Sequence, residues 1–77
     1  MLQKIRNIFQ SVMGPEAAIE TGTTRESLRQ WDSISHLNLI LELEAEFDLH
    51  MVPDEIEDLS SVAKIVDLVS RRTERGS

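Results

Sequence analysis

Apolar residues recur at helical spacing in three stretches of the chain, and breakers separate them. Leu2, Ile5, Phe9 and Val12 fall three or four positions apart, with Ile8 and Met13 beside them, and predict a helix over about 2–13. Gly14-Pro15 ends it, because glycine closes a helix end and proline cannot continue the ladder. A long connection over about 14–32 follows. Its Thr21, Gly22, Thr23 and Thr24 favour turns, and Ile19, Leu28 and Trp31 are its expected anchors into the core. One short helical turn is expected at Thr24–Leu28.

The second helix is expected over about 33–48. Asp32 or Ser33 can cap it, since either side-chain oxygen accepts a free backbone N–H, and Ile34 to Phe47 contains neither glycine nor proline. Asp48 to Pro53 interrupts the pattern, and a short third helix is expected over about 54–58. A fourth is expected over about 61–72. Val62, Ile65, Val66 and Val69 form its stripe, Leu68 lies at the margin, and Arg71 and Arg72 suit the negative end of the helix dipole. The tail from Thr73 to Ser77 is expected to fray. The sum is an all-α chain: one domain, a small four-helix bundle of three longer helices and one short one.

The second helix has two apolar sides. On a wheel of about 100° per residue, Leu39, Ile40, Leu43 and Phe47 make one stripe, and Ile34, Leu37 and Leu41 gather on the opposite side. A small bundle cannot easily bury both, so the trio is a candidate docking patch unless the 14–32 connection folds over it. Charge sharpens this reading. Between Asp32 and Asp58 there are nine acids and no lysine or arginine, whereas helix faces usually mix signs. A single-sign field beside an apolar patch steers a basic partner.

Composition narrows the function. At 77 residues the core is thin, and there is no room for a cleft walled on all sides. A net charge of −6 argues against nucleic acid and anionic membranes as partners. The absence of cysteine excludes disulfides and thiol catalysis by the chain itself. No apolar run suits a membrane span or a signal peptide, so a cytoplasmic, monomeric protein is expected. His36 falls toward the core side and reads as a packed or capping histidine. His50, near Asp48, Asp54 and Glu55, is the one conceivable divalent-ion position, but no ligand spacing defines it and no calcium-loop pattern is present. Phosphate loops and serine elbows are absent too, so no metal and no catalytic residues are expected.

Ser33 stands apart from this background. It opens the two-faced helix, after the long connection and beside the apolar patch. An anionic group attached there meets the positive end of a helix dipole. Trp31 to Glu44, centred on Asp32-Ser33-Ile34, resembles the acyl carrier protein family around its attachment serine. Glu44-Ala45-Glu46-Phe47-Asp48 is similar to that family's acidic stretch. Pro53 to Val62 is similar to its third helix and the start of its fourth.

The resemblance implies a four-helix bundle that can shelter an acyl chain between its second and third helices, among other places. It implies a 4′-phosphopantetheine arm on Ser33, flanked by Asp32 and transferred from coenzyme A by a magnesium-dependent phosphopantetheinyl transferase. Acyl-type groups ride on the arm's thiol as thioesters, and the carrier itself catalyses nothing. Partner enzymes with basic patches dock on the second helix. By position this points to Ile34, Leu37 and Leu41 as apolar contacts and to Glu42, Glu44 and Asp48 as acidic ones. Gln30-Trp31 stands where housekeeping fatty-acid carriers have a small glycine-containing stretch, Ile34 replaces leucine, and Asn38 replaces a common acid. These departures suggest a specialised pathway for a lipid, polysaccharide, polyketide or peptide. An aminoacyl or peptidyl carrier, and an unmodified acidic interaction module, remain the alternatives.

Overall fold

The computed structural model describes residues 2–74, and among them the regular elements are four helices. They are α1 (Leu2–Met13), α2 (Ser33–Phe47), α3 (Pro53–Asp58) and α4 (Val62–Glu74). α1 stops where Gly14 takes a φ of +105°, with its N–H bonded to Gln10 O at 2.9 Å. α2 ends one residue earlier than expected. Asp48 is its C-cap in the left-handed conformation, and its N–H returns to the Glu44 carbonyl. α3 starts one residue earlier than expected, with Pro53 in its first turn, where its preset φ and missing N–H suit it.

α4 runs on through Thr73 and Glu74, where the tail was expected to fray. The Thr73 hydroxyl donates to Val69 O at 2.8 Å and ties down that last turn. The rest of the tail lies outside the described residues.

The core joins α1, α2 and α4. Ile5, Phe9, Leu39, Leu43, Val62, Ile65 and Val69 are buried almost completely. Phe47 and Val66 are only partly buried, while Leu68, expected at the margin, is buried. The groove between α3 and α4 explains the exchange. It is lined by Leu59, Ala63 and Leu68, so Leu68 faces the side of α4 that turns toward α3.

The connection from 14 to 32 is ordered by three buried anchors, Ala17, Ile19 and Trp31, with Leu28 partly buried. The helical turn expected at Thr24–Leu28 is instead a tight turn closed by reciprocal bonds: Thr24 N–H to Ser27 Oγ (3.0 Å) and Ser27 N–H to Thr24 Oγ1 (3.2 Å). Serine and threonine side chains compete with a helix in this way. Arg25 N–H then bonds Ser60 O at 2.8 Å and Val62 N–H bonds Thr23 O at 2.9 Å, a two-bond bridge that ties the connection to the start of α4.

Candidate attachment site at Ser33

Ser33 is the first residue of α2 and is exposed. Of the two possible caps the structure uses Asp32: its backbone is extended, and its carboxylate accepts Ser35 N–H at 2.9 Å. That bond is the main reason the Asp32 carboxyl is held below the usual carboxylate range, with a smaller contribution from the nearby Arg25 guanidinium. The Ser33 hydroxyl is therefore not needed to cap the helix. It stands at the positive end of the dipole and faces outward.

Beneath it lies a hydrogen-bond chain that spacing rules do not reveal. The Trp31 indole N–H donates to His36 Nδ1 at 2.8 Å, and His36 Nε2 is 2.8 Å from the Ile56 carbonyl. An indole can only donate, so Nδ1 accepts, and Nε2 carries the proton and donates to Ile56. Trp31 also meets Phe9 edge-on, with ring centroids 5.0 Å apart. His36 is buried, and this desolvation lowers its pKa. The neutral tautomer is the one the chain of bonds requires. Three segments thus meet at one imidazole: the end of the connection, the first turn of α2, and α3.

The apolar trio is open. Ile34, Leu37 and Leu41 are 73%, 59% and 63% exposed, so the connection does not fold over them. The three acids expected near them diverge. Glu42 lines a shallow groove against α1 with Lys4 and Ser11. Glu44 turns to the loop after α2, where its carboxylate accepts Met51 N–H at 2.8 Å and lies 3.6 Å from His50 Nδ1. Asp48 is exposed at the C-cap. Glu55 pairs with Arg72, whose guanidinium holds its carboxyl below the usual range and also donates to His50 O at 2.9 Å. Among the described residues no cluster of three or more His, Asp or Glu could hold a metal ion.

Beside Ser33 an open groove of about 800 Å³ runs between the turn at Thr24–Glu26 and the start of α4, and Ser33 itself lines it. No helix among the described residues is long and apolar enough to cross a membrane.

No family model matches the chain. Over 75 residues it is 31% identical to the acyl carrier protein of Clostridium acetobutylicum, covering 96% of this chain and 97% of that protein. The chain belongs to the acyl carrier protein family. The solution structure of a holo acyl carrier protein from Geobacter metallireducens matches with a TM-score of 0.86 at 29% identity, covering 97% of this chain and 87% of that one. Members of the family are carriers rather than catalysts, so this carrier is not an enzyme.

Proposed function

We propose that this carrier holds acyl-type intermediates as thioesters on a 4′-phosphopantetheine arm attached to Ser33 and delivers them to partner enzymes of a biosynthetic pathway. The prosthetic group goes with the family. The observation that carries its placement is the exposed Ser33 hydroxyl at the start of α2, beside an open groove and released from capping by Asp32. The site fits the group: a phosphodiester on Ser33 Oγ meets the positive end of the helix, and the groove leaves room for the arm. When bound, the arm supplies the thiol that the cysteine-free chain lacks. The chain's own residues do the presenting. Asp32 holds the helix start, and Trp31 and His36 hold the connection beneath it.

The exposed Ile34, Leu37 and Leu41 are the apolar contacts for partner enzymes, the first of which is the phosphopantetheinyl transferase that loads Ser33. Glu42 and Asp48 extend an acidic border for basic docking patches. Glu44 adds to the field while its carboxylate holds the loop. The cargo we favour is a fatty acyl, polyketide or other specialised lipid group rather than an amino acid. Because the chain has no cysteine, thiol titration is a clean test. Treatment with coenzyme A, magnesium and a broad-specificity transferase should raise the count from no thiol to one. An unchanged count, with a known carrier loading in parallel, would favour an unmodified acidic interaction module.

A further inference from the structure

The groove beside Ser33 has built walls. Arg25 N–H to Ser60 O and Val62 N–H to Thr23 O fasten the turn on one side to the start of α4 on the other. The third side, at Trp31 to Ser33, is fixed by the Asp32 cap and by the bond from Trp31 to His36. A frame tied on three sides exists before any ligand arrives. Its volume, about 800 Å³, lies in the range of small-molecule sites.

The charges in it are unevenly satisfied. The Asp32 carboxylate is engaged at the helix start, Glu26 is exposed, and Lys64 reaches the exposed Asp58 at 3.4 Å. Arg25 is half-buried, and beyond a weak attraction to the Asp32 carboxylate its guanidinium makes no hydrogen bond or ion pair among the described residues. A guanidinium partly removed from water calls for an anion with paired oxygens. Thr24, Ser60 and Ser61 bring hydroxyls to the same walls, and Trp31 brings an apolar surface.

We propose that this groove is the resting berth of the prosthetic arm. Arg25, seconded by Lys64, pairs with the phosphodiester on Ser33, and the hydroxyl-lined walls hold the amide-rich chain beyond it. The proposal rests on attachment at Ser33. It adds that the arm of this carrier lies against the turn at Thr24–Glu26 and the start of α4 rather than along α2 over Leu37 and Leu41.

The arm's thiol is the sole thiol of the loaded protein, so a maleimide nitroxide labels it alone. Loading is first checked by intact mass. In amide-resolved NMR spectra of the labelled protein, paramagnetic broadening should erase the signals of Thr24, Arg25, Ser61 and Lys64 and leave those of α1 at full intensity. Arg25→Gln combined with Lys64→Gln, loaded to the same mass and with unchanged helical circular dichroism, should restore the groove signals. Broadening centred on Leu37 and Leu41, or no difference between wild type and the double variant, overturns the berth while leaving attachment intact. Failure to gain mass overturns attachment at Ser33, and the berth with it.

Discussion

The two sides of this bundle are held together by different physics. Where α1, α2 and α4 meet, the contacts are apolar and nearly dry: Phe9, Leu39, Leu43, Ile65 and Val69 interlock with almost no exposure. On the side that presents Ser33, α3 has no buried residue at all. It is placed by the His36 bond to Ile56 O, by the Glu55–Arg72 ion pair, by its own return bond from Val52 N–H to Glu55 at 3.1 Å, and by a thin apolar contact, Ile56 packed partly buried against the core beside buried Leu59. The connection from 14 to 32 depends equally on Trp31, whose indole N–H is satisfied by His36. The apolar side has many interchangeable contacts. The presenting side has a few directional ones, each of which can be removed or titrated singly. The bundle thereby has a firm base and a separately adjustable front.

Four changes should test that contrast. The largest effect belongs to the apolar side: Leu43→Ala should cost about 2–5 kcal/mol in chemical denaturation, with every element melting together. Next, His36→Phe keeps the volume class but leaves the Trp31 indole and the Ile56 carbonyl without partners, a cost of about 1–3 kcal/mol. Amide exchange should rise in α3 and around Trp31 much more than in α1. Equal exchange in all elements would erase the distinction between the two sides.

A third test uses pH. His36 has a folded pKa below its ordinary 6.5, so the unfolded chain binds the proton more readily. Its contribution to stability is complete above 6.5 and is lost as pH falls through the depressed folded value. The slope of stability against pH below 6.5 should be steeper in wild type than in His36→Phe. The smallest effect is ionic. With nine acids and no bases from Asp32 to Asp58, added salt should raise the melting temperature by screening self-repulsion. A flat response would mean that the local pairs already offset the field.

Periodicity made the apolar side readable. Ile5 and Phe9, Leu39 and Leu43, and Val62, Ile65 and Val69 repeat every three or four residues because each faces one neighbouring surface. It also made the open trio readable, since Ile34, Leu37 and Leu41 fall opposite that stripe. The presenting side was less legible. Trp31 and His36 straddle a helix start, where no fixed period links the two, and the partner of His36 is a backbone carbonyl twenty positions away. The bridge between the 14–32 connection and α4 is made by main-chain groups, which carry no residue signature. Nothing in the sequence sets Arg25 apart from the other bases, and only the fold brings it to the groove that Ser33 lines. Glu44 was assigned to docking by position, yet the loop that follows α2 claims its carboxylate.

The central claim is that Ser33 is where the arm is attached, and fragmentation of the intact protein after treatment with coenzyme A, magnesium and transferase tests it most directly. The account predicts a single phosphopantetheine addition confined to the fragment containing Ser33, and none on Ser33→Ala, whose stability should stay within about 0.5 kcal/mol of wild type because Asp32 caps the helix. Addition at another serine, or equal loading of Ser33→Ala, would contradict it.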